Sequence, residues 1–246
     1  MKKIVLSLLV GFGTLFGTEE INVYTYHNHA PFIIKKTEGL SHDLIKHLND
    51  NSNGEYIFKL KVVPRNRLNY TLKPWINKEC GVTKECASNW LVLWVNHKWG
   101  FGQDSLTNFS WTNLFEDSNA IIYTKDKRIH YTNPNSLIGT KLAGISGHKY
   151  VGIDPLVKEG KIKRINGNNE EINLHKLLSK RVDVTLLPNS SFNYYVQHND
   201  NLKNLEKSKI PHQKYMRNIM TTSKNTQLIK FLQKIDFKPI VKEYAK

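Results

Sequence analysis

Cysteine is scarce in this sequence, with Cys80 and Cys86 the only two in 246 residues. A zinc site would need further ligands at matching spacing, and His97, the nearest histidine, is too far along to complete a recognisable motif. Long apolar runs are lacking as well. The longest, Ile4 to Phe16, is 13 residues, against the ~20 that a helix needs to span a bilayer. Acidic residues are few, 21 against 36 Lys and Arg, for a formal charge of +15. There is no internal repeat or low-complexity tract. Nor is there a G-x-S-x-G or H-E-x-x-H motif, or a P-loop ending, which lowers the standing of an enzyme reading without excluding one.

The N-terminus has the layout of a secretory signal. Lys2 and Lys3 precede the uncharged run, and Gly17 and Thr18 follow it. A leader over residues 1–18 is therefore expected, with the cut after Gly17 or Thr18, and the mature chain in the periplasm. A buried N-terminal strand or helix is the alternative. Export would place Cys80 and Cys86 in an oxidising compartment, where a local disulfide is plausible and two free thiols the competing reading. Removing residues 1–18 takes away only Lys2 and Lys3 and leaves a charge of +13. The basic residues are scattered, and no zinc-finger spacing or RNA-binding aromatic motif accompanies them, so a solvated basic surface is expected rather than a nucleic-acid partner.

Along the mature chain, hydrophobic periodicity alternates between strand and helix. Ile21, Val23 and Thr25 read as a strand ending in the turn-rich His27-Asn28-His29-Ala30-Pro31. Ser41 is a good N-cap for a helix with Leu44, Ile45 and Leu48 on one face, and Tyr56 to Val62 alternates as the next strand. After Ala120 to Tyr123 the rhythm repeats: strand 142–145, turn at Gly147, helix from Tyr150, strand 161–165, helix 171–178, strand 182–187 and helix 191–197. A final amphipathic helix carries Leu228, Ile229, Leu232 and Ile235. The expected architecture is α/β, with two lobes, each a mixed sheet flanked by helices. The first lobe comprises 19–123 with 208–246, and the second 124–207.

Several residues could line a cleft between such lobes. His27 and His29 at a strand end point to one side. Beyond the carboxyl ends of parallel strands they read as polar lining rather than metal ligands. Gly144 to Tyr150 is a glycine-bearing turn into a helix, and Gly147, His148, Lys149 and Tyr150 would form an anion seat. Arg67, with Arg65, follows the second strand and suits a carboxylate. Trp94, within the cluster holding all five tryptophans, could stack on a ring or a cation. Phe32, Asn96 and Asn189 complete the expected lining.

The order of these pieces resembles the type II periplasmic solute-binding proteins of the polar-amino-acid class. The matching residues include Ala30-Pro31-Phe32, Gly39-Leu40-Ser41-His42-Asp43-Leu44, Phe109-Ser110, Leu137-Ile138-Gly139-Thr140-Lys141, Gly147 with Tyr150, Asn173 to Asp183, and Lys242-Glu243-Tyr244. The resemblance implies a ligand held between two lobes joined by two crossing strands and delivered to an ABC-type permease. It also covers sensor domains and a few dehydratases. By position, His29 matches an aromatic that stacks on ligand, Tyr26 a polar residue at the strand end, and His148 and Lys149 the pair that holds a carboxylate.

The departures are informative. The arginine that α-amino-acid binders carry before the Phe-Ser pair is missing from Gly102 to Leu106, and their amino-binding aspartate is Pro188 here. An ordinary α-amino acid is thus disfavoured, because a buried charge needs a partner. A small polar or anionic solute, no cofactor, no metal and a monomeric, non-enzymatic protein are expected. An enzyme on the same scaffold using His29 or His148 as acid or base, or a ligand sensor, is the alternative.

Overall fold

The computed structural model describes residues 17–244. The apolar run on which the expected leader rests lies outside the described residues. In chain order the elements are β1 (Glu19–Thr25), α1 (Leu40–Asp50), β2 (Tyr56–Val62), α2 (Arg65–Ile76), β3 (Trp90–Val95), α3 (Ser105–Asn108), β4 (Phe109–Thr124), β5 (Lys141–Ile145), α4 (Ile153–Lys158), β6 (Lys163–Gly167), α5 (Glu170–Leu178), β7 (Val184–Pro188), α6 (Asn189–His198), β8 (Leu205–Lys207), β9 (Gln213–Thr222), α7 (Thr226–Lys234) and α8 (Lys238–Val241).

The strands join in the order β2-β1-β3-β9-β4-β7-β5-β6, with β8 also on β4. β1 runs parallel to β2 and β3, and β5 runs parallel to β6 and β7. Between these parallel groups lies the long antiparallel ribbon of β4 and β9, paired from Phe109 to Asn119. β4 continues into pairing with β7 through Ile122. The sheets of the two halves are therefore continuous through β4.

Burial separates the halves more sharply than the strand order does. Ile21, Val23, Phe32, Leu44, Leu48, Leu91 and Trp94 form one core with Leu228, Leu232 and Phe237 from the C-terminal helices. Leu68, Trp75, Trp90 and Phe101 form its neighbour on the other face of the same sheet. In the second half, Leu174, Leu177, Phe192 and Tyr195 cover one face, and Leu142, Ile153 and Val184 the other. Ala120 to Tyr123 pack with this second half, so the change of body falls inside β4 rather than after it.

β3, Trp90-Leu91-Val92-Leu93-Trp94-Val95, is buried at every position. A strand covered on both faces shows no alternation, and for that reason periodicity alone does not predict it. β9 is likewise buried from Arg217 to Thr222.

The loop between β1 and α1 depends on a glycine. Gly39, at φ +122°, caps α1, and a Cβ there would stand 2.8 Å from the Phe32 carbonyl oxygen and 2.9 Å from the Ile34 nitrogen. Ser41, expected as the cap, is instead fully buried and accepts a hydrogen bond from Trp94 Nε1 at 2.8 Å. The helix starts earlier than the Ser/Thr/Asp/Asn rule suggests, because the backbone of 31–33 sits against it. Cys80 and Cys86 are joined by a disulfide, with their Cα atoms 5.4 Å apart.

Gly39→Ala combines a left-handed backbone with a backbone clash, and is expected to cost about 1–3 kcal/mol. Urea unfolding measures this, and an unchanged midpoint would show that the loop relaxes freely.

Candidate functional site

Chain ends of the parallel strands converge where the two halves meet. The segment after β1 supplies Tyr26, His27, His29 and Phe32. The start of α2, after β2, supplies Arg65, and the turn after β3 supplies Trp99. From the second half come His148 after β5, Glu170 after β6, and Ser190 and Ser191 after β7. This is the carboxyl-end placement usual for sites on α/β sheets. The crossing ribbon forms the floor with Asp117 on β4 and Tyr215 and Arg217 on β9.

Arg217 has no exposed surface, and Asp117 is 5 % exposed. Arg217 Nε donates to Asp117 Oδ2 at 2.9 Å, Nη1 to the Trp94 carbonyl at 3.1 Å, and Nη2 to the Tyr215 hydroxyl at 3.2 Å. Asp117 also accepts from the Ser118 and Ser190 backbone nitrogens and from Ser190 Oγ at 2.8 Å. These donors meet both oxygens of a carboxylate that is almost wholly removed from water. The guanidinium lies over Phe32 at 4.5 Å, Tyr215 at 5.1 Å and Trp99 at 5.6 Å from the ring centroids.

His27 Nε2 lies 3.4 Å from Arg217 Nη1. A guanidinium only donates, so Nε2 is the unprotonated nitrogen. Burial, then the Arg217 charge, then His29, His148 and Arg65, hold the His27 pKa well below the usual imidazole range. His29 reaches across to the second half. Its Nδ1 is 3.1 Å from both the Ala30 carbonyl and Ser191 Oγ, and its Nε2 is 3.6 Å from Glu170 Oε1. His148 is lowered by loss of water around its ring, opposed by Glu170 and reinforced by His29, Arg164 and Arg65.

Of the residues expected from sequence, Tyr26, His29, Phe32 and His148 lie at this junction, together with Trp94, whose part is played through its backbone. Tyr26 stacks under Arg65, whose guanidinium carbon is 4.7 Å from the ring centroid. The Trp94 ring packs in the core behind Phe32, at 5.3 Å between centroids, and only its carbonyl faces Arg217. His27 and His29 do share a side, with ring centroids 5.7 Å apart.

Arg67 is a correction. It is exposed on α2, whereas Arg65 falls on the same helical face as buried Leu68 and Leu72. Residues three and seven apart share a face, and a residue two apart points away. Asn96 donates to the Met216 carbonyl and lines a cavity of about 470 Å³ with His97, Trp111 and Lys214, which meets the site only through Tyr215. Asn189 accepts from Lys207 at the start of α6.

The expected anion seat is also corrected. α4 begins at Ile153, not Tyr150, and the Tyr150 nitrogen donates to Asp154 Oδ2 at 2.9 Å, so an acid of the chain already fills that position. Tyr150 is a brace, its hydroxyl accepting from the Ile145 nitrogen and its ring lying under Arg164. Gly147, at φ +79°, forms the exposed tip of the turn beside exposed Lys149.

Asp117, Glu170, Ser190, Ser191, Tyr215 and Arg217 join the site without having been expected from the sequence. Local pattern does not single out Arg217, because β9 is buried on both faces from Arg217 to Thr222 and shows no alternation. Among the described residues, no group of three or more His, Cys, Asp or Glu is placed to hold a metal ion.

No family model and no curated protein matches the sequence. Solved structures do match it. An ancestral arginine-binding protein bound to arginine is 15 % identical, with a TM-score of 0.64 over 94 % of this chain and 100 % of that one. The ligand-binding core of GluR0 in complex with L-glutamate is 12 % identical, at 0.63 over 93 % and 98 %. An arginine transport-system periplasmic binding protein from Legionella pneumophila is 16 % identical, at 0.58 over 93 % and 95 %. The chain therefore has the two-lobed, type II periplasmic solute-binding fold.

Proposed function

We propose that this is an exported binding protein that captures a small polar molecule bearing a carboxylate or phosphate between its lobes, for delivery to an ABC-type importer. The observation that carries this reading is the charge of Arg65. Arg217 is neutralised by Asp117 at 2.9 Å, whereas no carboxylate among the described residues stands within ion-pair distance of Arg65. Arg65 donates instead to the Trp99 carbonyl and to Asn69 Oδ1. Its guanidinium rests between the Tyr26 and Phe101 rings at 4.7 and 4.5 Å. A cation held by neutral partners at a strand end is suited to bidentate anion binding. Lobe closure then brings His29 against Glu170 and Ser191, excluding water from the bound anion.

Binding without turnover fits the hydrogen-bond pattern at His29. The Ala30 carbonyl only accepts, so Nδ1 carries the proton, and Ser191 cannot give its own proton to that nitrogen. A serine that accepts from this nitrogen is not set up with it as nucleophile and base, which supports the binding reading.

Arg65→Gln is expected to weaken binding of whichever carboxylate or phosphate stabilises the wild type by about 10- to 100-fold, the worth of a charge-assisted hydrogen bond. Calorimetry over a panel of organic acids and phosphate esters measures it. Equal affinity in both proteins would remove Arg65 from the site.

His27 and His148 both have pKa values below those of the unfolded chain. The unfolded state then binds more protons below about pH 6.5, so stability is full above that pH and falls on acidification. The carboxylates Asp126, lowered to about 2, and Asp183, also lowered, act only below that window. Urea midpoints are expected to drop between about pH 7.5 and 5, and His27→Asn to flatten the drop. A profile unchanged by His27→Asn would contradict the neutral, Arg217-facing imidazole.

A further inference from the structure

Arg217 sits on the strand that links the lobes, yet it is solvated as if it were a bound guest. Four partners meet its donors: Asp117, the Trp94 carbonyl, His27 Nε2 and the Tyr215 hydroxyl. Three rings, Phe32, Tyr215 and Trp99, approach its guanidinium. Aromatic faces with a carboxylate and a carbonyl around the fork are the parts of a receptor for a guanidinium or ammonium ligand. Here the floor of the cleft provides that receptor, and the chain's own side chain fills it.

We infer that Arg217 is a resident guest that sets the specificity of the cleft, occupying its aromatic cation box so that cationic side chains are refused and anionic or neutral polar solutes are left as candidates. Rejection then arises because the box and its balancing carboxylate are already taken, and needs no contact with the solute. The inference rests on the proposed function only in taking the cleft to be where a solute binds. It differs from a purely structural role for Arg217, in which the box would have no affinity of its own once the side chain was removed.

Chemical rescue tests it. Arg217→Ala keeps the rings and Asp117 and removes the guanidinium. N-ethylguanidinium at about a hundred times its Kd is expected to raise the thermal midpoint of this variant by roughly 5–10 °C. Ethylammonium should raise it less, N-ethylurea not at all, and the wild type should respond to none of the three. If Arg217→Ala does not fold, D117N/R217A, which also removes the orphaned charge, carries the test. It should still prefer N-ethylguanidinium to N-ethylurea, with affinity at least about tenfold weaker than a charged box would give.

The inference is overturned if no folded variant distinguishes N-ethylguanidinium from N-ethylurea, or if the wild type gains the same stabilisation. Rescue without any anion binding to the wild type would leave this inference standing and remove the proposed function. Arg65-dependent anion binding without rescue would do the reverse.

Discussion

The ion pair of Asp117 and Arg217 is the interaction on which the junction of the two halves depends. Each residue lies on one strand of the crossing ribbon, and each is almost wholly removed from water. Desolvating two charges is costly, and their attraction offsets the cost only when the remaining donors and acceptors are also met. That requirement organises the surroundings: Ser190 from the start of α6, the Trp94 carbonyl at the end of β3, Tyr215 from β9 and His27 from the end of β1. Asp117 thus ties the second half to the ribbon, and Arg217 ties the first.

The consequences reach the cleft lining. Burial, and then the Arg217 charge, hold the His27 pKa well below the usual imidazole range, and the contact with Arg217 orients its ring. Phe32 is held from above by the guanidinium and from behind by Trp94, and the Phe32 loop in turn needs Gly39 to pass close by. His29, two residues beyond His27, is thereby aimed across the gap at Ser191 and Glu170. The floor is charge-balanced by the Asp117–Arg217 pair, whereas Arg65, on a helix beside it, has no carboxylate among the described residues within ion-pair distance.

Much of the fold is legible in the sequence. Half-exposed elements have clear periodicity: β1 through Ile21, Val23 and Thr25, β2 through Tyr56 and Phe58, and α7 through Leu228 and Leu232. Elements covered on both faces do not. β3 and β9 are buried along most of their length, so they show no alternation, and their roles depend on neighbours distant in sequence. The same physics explains the site. His29 and Phe32 follow a strand end that periodicity locates, and His148 follows a glycine turn. Arg217 and Asp117 are 100 positions apart and meet only through the register of β4 with β9. Sequence favours Arg67 over Arg65 wrongly, because no clear capping residue fixes the helix start at Arg65, and that start decides which arginine turns inward.

A buried ion pair with partners from both halves holds the crossing strands together. Equilibrium urea unfolding of Asp117→Asn near neutral pH tests this most directly, since the side chain keeps its shape and loses its charge. A loss of about 3–5 kcal/mol is expected, the usual cost of leaving one partner of a buried pair uncompensated. A change within about 0.5 kcal/mol, the range of ordinary surface substitutions, would contradict it.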